Sequence, residues 1–127
     1  MNPGKSASPP NTAQVVEAFN DAFNRQDLKS LAALITPDCV FENTYPPPDG
    51  DKHTGSEAVL ATWTAFFRSS PRALFETEEL VALGDRCVVR WLYRWTDSSG
   101  RAGHVRGIDL FRLKDGKIAE KRSYVKG

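Results

Sequence analysis

Val105-Arg106-Gly107-Ile108-Asp109-Leu110-Phe111-Arg112-Leu113-Lys114-Asp115-Gly116-Lys117-Ile118 carries the decision about the fold. From Gly103 to Leu113 its side chains alternate with the two-residue period of a strand: Val105, Gly107, Asp109, Phe111 and Leu113 on one face, His104, Arg106, Ile108, Leu110 and Arg112 on the other. Lys114-Asp115-Gly116-Lys117 then reads as a tight hairpin. Working outward, the same period covers residues 73 to 83, 87 to 96 and 117 to 125, with Gly84-Asp85-Arg86 and Asp97-Ser98-Ser99-Gly100 as the breaks. Four antiparallel strands are expected.

Upstream the period is helical. Asn11 with Gln14 forms a capping-box pattern, and Val15, Val16, Phe19, Ala22 and Phe23 predict a first helix over about 12 to 25. Asp27 can cap a second helix that places Leu28, Leu31, Leu34 and Ile35 on one side before Thr36-Pro37-Asp38 stops it. Cys39 to Thr44 reads as a short strand, and Pro46-Pro47-Pro48-Asp49-Gly50 as a stiff surface loop. Val59, Leu60, Trp63, Phe66 and Phe67 mark a third helix after Gly55-Ser56, closed by Ser70-Pro71. Helices followed by strands predict an α+β domain, its helices packed on one face of a sheet.

The 127 residues suffice for one domain with its own core, expected over 12–127 behind a flexible arm at 1–11. Cys39 and Cys87 lie in apolar stretches and read as reduced core residues. The first eleven residues carry one lysine and no apolar run, so neither a signal peptide nor a membrane anchor is expected, and a cytoplasmic location follows by default. Residues 1 to 85 carry 6 basic and 12 acidic side chains, residues 86 to 127 carry 11 and 4. Arg90, Arg94, Arg106, Arg112 and Arg122 alternate with apolar residues along strands, and Glu76 and Glu78 can neutralise some of them, so nucleic acid is not the expected partner. His53 and His104 are the only histidines and the spacing offers no metal site. Phosphate-loop, dinucleotide and nucleophile-elbow motifs are absent too, and no cofactor is expected.

Strand parity singles out Asp109. Its face belongs toward the helices, where an unpaired carboxylate is costly and burial favours its protonated form. It is either a structural acid, paired with an arginine or accepting backbone hydrogen bonds, or an acid or base at the floor of a cavity. Gly107, on the same face, is expected to leave space beside it. Val89, Trp91, Tyr93 and Trp95 share a face of the neighbouring strand, making Trp91 and Tyr93 cavity-wall candidates. Phe41 and Asn43 share a face of the first strand, so Asn43 is a second polar group able to point inward. His53 is expected to be solvated or capping, and His104 lies on the face opposite Asp109.

The element order and the stretch from Val105 to Ile118 resemble the SnoaL-like (polyketide-cyclase-like) branch of the nuclear transport factor two-like superfamily, over about residues 12 to 126. The resemblance implies a cone-shaped α+β barrel, with helices wrapped by a curved, mostly antiparallel sheet around a deep apolar pocket, and homodimers formed through the outer sheet face. It also implies cofactor-free chemistry. In the ketosteroid isomerases of that superfamily a protonated aspartic acid holds the enolate oxygen, and Asp109 resembles that residue. Phe19 stands where their tyrosine would be and Asn43 where their general-base aspartate would be. Relative to limonene epoxide hydrolases, Asn43 matches the asparagine, while Phe41 replaces a tyrosine and Ser123 an aspartate.

The leading expectation is therefore a cofactor-independent enzyme of isomerase, cyclase or hydratase/dehydratase type acting on a small apolar molecule. Asp109 would be its acid or base, Asn43 and Tyr93 would contact substrate or a water, and Phe19, Phe41, Trp63, Phe67, Trp91 and Phe111 would form the wall, with Ser123 beside them. The alternative is a non-catalytic ligand-binding or dimerising module of the same fold; epoxide hydrolysis ranks below both.

Overall fold

The computed structural model describes residues 11–127, so the arm expected at 1–11 lies, Asn11 apart, outside the described residues. At the start of α1 (Thr12–Asn24) the Gln14 amide donates to Asn11 Oδ1 at 2.8 Å and the Asn11 amide donates to Gln14 Oε1 at 3.0 Å, the reciprocal cap that the sequence pattern predicts. Asp27 caps α2 (Leu28–Leu34), accepting from the Ser30 amide at 3.1 Å and the Ser30 hydroxyl at 2.6 Å. Those two hydrogen bonds hold its carboxyl below the usual carboxylate range.

Ile35 is already extended and opens β1 (Ile35–Glu42), four residues before the strand start expected at Cys39. Ile35 pairs with Ile118, the register then shifts, and pairing resumes at Val40. Pro37 falls inside that irregular stretch, where a missing N–H removes no ladder bond; it is a strand residue rather than a helix stop. A second difference is β2 (Lys52–Thr54), paired antiparallel to β1 where a loop is expected. His53 therefore sits half-buried in a strand, its ring stacked 6.2 Å from Phe41.

Downstream the parity reading holds. After α3 (Ser56–Ser69) come β3 (Leu74–Leu83), β4 (Arg86–Thr96), β5 (Ala102–Lys114) and β6 (Lys117–Val125). The six strands form one sheet in the order β2-β1-β6-β5-β4-β3, antiparallel except where β1 runs parallel to β6. Between β5 and β6, Asp115 and Gly116 both take positive φ, the geometry of a two-residue hairpin turn. In β3, Thr77 pairs with Trp91 and Glu79 with Arg90, so Glu78 is the extra residue of a bulge. Glu76 and Glu78 meet Arg94 and Arg106 at 3.1 and 3.0 Å, and Glu79 lies 3.4 Å from Arg90. Exposed pairs of this kind contribute little to stability. Their effect is to neutralise the arginine face more than to hold the fold.

Stability comes from the face turned toward the helices. Phe19 from α1, Trp63 from α3, Phe41 from β1 and Phe111 from β5 are buried together, with Phe19 edge-on to Trp63 at 5.3 Å and to Phe111 at 5.7 Å. Each such aromatic pair adds about 0.5–1.5 kcal/mol beyond the area it buries. Asn24 ties α1 to the edge strand: its side-chain amide donates to the Phe75 carbonyl and its oxygen accepts from the Phe75 amide, both at 2.9 Å.

Cys39 and Cys87 are free and buried, and burial pushes both thiols up to about 11 from their ordinary 9.0. The native chain keeps protons that the unfolded chain releases, so this contribution to stability is complete below pH 9 and is lost as pH rises toward about 11. Denaturant midpoints measured across that window are expected to fall, and a Cys39→Ala/Cys87→Ala variant to fall less steeply. Neither native thiol should react with an aromatic disulfide reagent before the chain unfolds.

Candidate active site

Asp109 lies on the inner face of β5, opposite Val89 of β4 and Ser123 of β6, and only 7% of its surface is exposed. The sequence reading leaves it unpaired or faced by an arginine. The structure gives it a lysine. Lys121, two residues before Ser123 on the same face of β6, brings its Nζ to 3.4 Å from Asp109 Oδ2. Ser123 Oγ donates to Asp109 Oδ1 at 2.6 Å and accepts from Lys121 Nζ at 3.1 Å. A serine has one proton to give, and the shorter contact places it on the carboxylate; the longer one is therefore an ammonium donating to the serine oxygen.

This triad forms part of the wall of a cavity of about 260 Å³ between the helices and the sheet. A cavity of about 150 Å³ accepts benzene, and drug-sized ligands occupy about 300–1,000 Å³, so this one suits a molecule of one or two rings. Of the expected wall residues, Phe19, Phe41, Trp63, Trp91, Tyr93 and Ser123 line it, as does Asn43. Phe67 and Phe111 do not. Phe67 is buried against Phe23 at 4.9 Å, its helix neighbour Phe66 facing the cavity instead, and Phe111 is sealed beneath Phe19. Asn43 shares the cavity with Asp109 without bonding to it; its side-chain oxygen accepts from the Thr44 amide at 2.7 Å.

Gly107 does not open space beside Asp109. Trp91 pairs with Gly107 and Trp95 with Gly103 across the β4–β5 ladder, and each indole lies where the glycine has no side chain. A Cβ on Gly107 would collide with the Trp91 ring and the Tyr124 carbonyl, and one on Gly103 with the Trp95 ring. The glycines thus let indoles lie flat along the sheet, Trp91 forming wall and Trp95 forming rim.

Lys121 is the cavity residue that sequence reasoning missed. The signal was its parity with Ser123; a lysine near a chain end reads by default as solvated. Its ammonium also faces the rings of Phe41 and Phe23, at 4.8 and 5.6 Å. Phe23, Phe66 and Phe75 complete an aromatic wall larger than expected. His53 and His104 stay outside it, His104 exposed opposite Arg94. Among the described residues no three His, Cys, Asp or Glu side chains gather as a metal site would require, and no helix is long and apolar enough to cross a membrane.

The family model for a SnoaL-like domain matches residues 16–121. The chain belongs to the SnoaL-like family. An NTF2-like protein of unknown function from Mesorhizobium loti is 40% identical to this SnoaL-like chain, with 94% of this chain and 98% of that one covered and a TM-score of 0.77. A candidate polyketide cyclase from Sinorhizobium meliloti is 27% identical, with 86% and 92% covered and a TM-score of 0.70. IdmH from Streptomyces antibioticus, another candidate polyketide cyclase, shares the fold at 24% identity, with 92% and 93% covered and a TM-score of 0.79. No curated protein matches the chain.

Asp109→Asn leaves the Lys121 ammonium buried without its counter-charge and should cost up to about 3–5 kcal/mol, whereas adding Lys121→Met should restore part of it, a coupling of about 0.5–3 kcal/mol by urea denaturation. Gly107→Ala should destabilise by about 1–3 kcal/mol by the same measurement, with a shift in tryptophan emission as Trp91 is displaced.

Proposed function

We propose that this SnoaL-like chain is a cofactor-independent acid–base enzyme that moves a proton on a small, largely apolar carbonyl compound. The reaction would be an isomerisation, a cyclisation or a hydration/dehydration. The observation that carries this reading is the Asp109 carboxylate, buried yet lining an aromatic cavity, with Ser123 holding one of its oxygens. A proton acceptor, a proton donor and an apolar bed for the substrate are then all supplied by side chains. The family and its candidate polyketide cyclases support the same chemistry, since closing a ring onto a carbonyl begins by removing a proton from carbon. Asn43, just past the end of β1, lines the same cavity as an amide able to orient a substrate oxygen or a water. Epoxide hydrolysis is disfavoured because Asp109 is the one carboxylate lining the cavity among the described residues.

A second proposal concerns the opposite face of the sheet. Val88, Ile108 and Tyr124 are exposed there among the paired arginines and glutamates, Ile108 directly opposite Tyr124. An apolar strip within a neutralised rim suits a contact between two copies of the chain. Sedimentation should give a dimer mass for the native chain and a monomer for Ile108→Glu; a native monomer refutes the pairing.

For the catalytic reading, small cyclic ketones that raise the melting temperature are incubated with the protein in D₂O, and exchange of the hydrogens next to the carbonyl is followed by NMR. Wild type should accelerate exchange, and Asp109→Asn should lose about 10²–10⁴-fold of that rate while keeping the ligand-induced rise in melting temperature. Equal exchange by both proteins removes Asp109 from the chemistry.

A further inference from the structure

We propose that Lys121 contacts substrate and anchors an acidic oxygen, so that the cavity selects planar aromatic or conjugated molecules bearing a phenol, an enol or an enolisable carbonyl. This rests on the acid–base reading of Asp109 and names the substrate class for that site.

An ammonium has three N–H donors. Ser123 takes one at 3.1 Å and Asp109 faces another at 3.4 Å. No third oxygen partner meets Lys121 among the described residues; the rings of Phe41 and Phe23 stand over its nitrogen instead. Those rings also line the cavity, so the side of the ammonium not held by Ser123 and Asp109 adjoins the space a ligand would fill. A ligand ring lying among Phe23, Phe41 and Trp63 could bring a ring oxygen to that nitrogen and exchange a cation–π contact for a charge-assisted hydrogen bond, the stronger of the two.

The charge balance favours a proton transfer over the simple capture of an anion. Among the described residues the charged side chains lining the cavity are Asp109 from β5 and Lys121 from β6; α1, α3, β1, β3 and β4 contribute only neutral ones, Tyr93 being the remaining titratable group. The pair is neutral before substrate enters. When the O–H, or the C–H next to a carbonyl, breaks, its proton goes to Asp109 and its electron pair stays on the substrate as a phenolate or enolate beside Lys121. The site then holds a neutral acid, an ammonium and an oxyanion, again with no net charge. Nothing charged has to cross from water, and no further reactant is needed.

The test uses the full chain with two probes, 4-nitrophenol, which is yellow only when ionised, and 4-nitroanisole, which has the same ring and no acidic proton. Bound nitrophenol should ionise about one pH unit below its value in buffer, equivalent to the phenolate binding about tenfold more tightly than the phenol. In Lys121→Met the shift should vanish while nitroanisole binding changes little; Lys121→Arg should retain much of it. Should Lys121→Met not fold, the wild-type titration decides: a structural lysine, its charge spent on Asp109, gives no shift, and that result overturns the proposal. A shift that persists undiminished in Lys121→Met also overturns it, and failure of both probes to bind removes the ligand site itself. The acid–base reading fails separately, if Asp109→Asn leaves ketone exchange untouched while the nitrophenol shift stands, which leaves Lys121 as the anchor of a binding protein.

Discussion

A carboxylate facing the inside of this sheet is tolerable because Lys121 reaches it. An isolated ionised group buried there would neutralise itself or unfold its surroundings, and the 3.4 Å contact with Lys121 and the 2.6 Å bond from Ser123 remove that penalty. The pairing depends on a bulge in β6, where Ala119 is skipped between the Leu113–Ile118 and Arg112–Glu120 pairs. That shift of one residue from the hairpin's register sets Asp109 opposite Ser123 and so places Lys121 on the inner face. A slip of one residue would turn Glu120 and Arg122 inward and send Lys121 and Ser123 out. One extra residue in β6 thus decides the electrostatics of a cavity a few residues away.

The apolar half of the site has a comparable logic. Gly103 and Gly107 would weaken a strand by themselves, yet each faces a tryptophan on β4 whose ring covers the gap. The sheet gives up two side chains and gains two indole surfaces lying along it. With Phe75 stacked on Tyr93 at 4.6 Å and set edge-on to Trp91 at 5.3 Å, the aromatic lining continues from β3 to β4, and the indoles carry it over the glycines of β5. Such a wall offers a flat surface, and among the described residues the Asp109–Lys121 pair gives the cavity its charged end.

Much of the fold was legible because the chain signals its elements locally. The Asn11–Gln14 box, the Asp27 cap and the two-residue rhythm after Ala73 are all effects of near neighbours, and they appear where expected. What escaped depends on contacts distant in sequence. Ile35 leaves its helix to pair with Ile118, and Lys52–Thr54 becomes a strand because β1 offers an edge. Within the site, Asp109 was found by parity alone. Lys121 has the same parity signal, but its long stem and charge suggest a solvated residue until the register shows what it faces. Phe67 and Phe111 were placed on the correct faces and assigned to the wall when they are core, since alternation tells inside from outside and not how far along the inside the empty space extends.

The two hydrogen bonds between Asn24 and the Phe75 backbone bear on how the molecule behaves in company. β3 borders the sheet, and a border strand with open amides and carbonyls invites a stranger's strand to add on. Asn24 occupies one such rung with a side-chain imitation of a peptide group, and the bulge at Glu78 breaks the next stretch. The first half of that border is thereby a poor template for a strand of another copy.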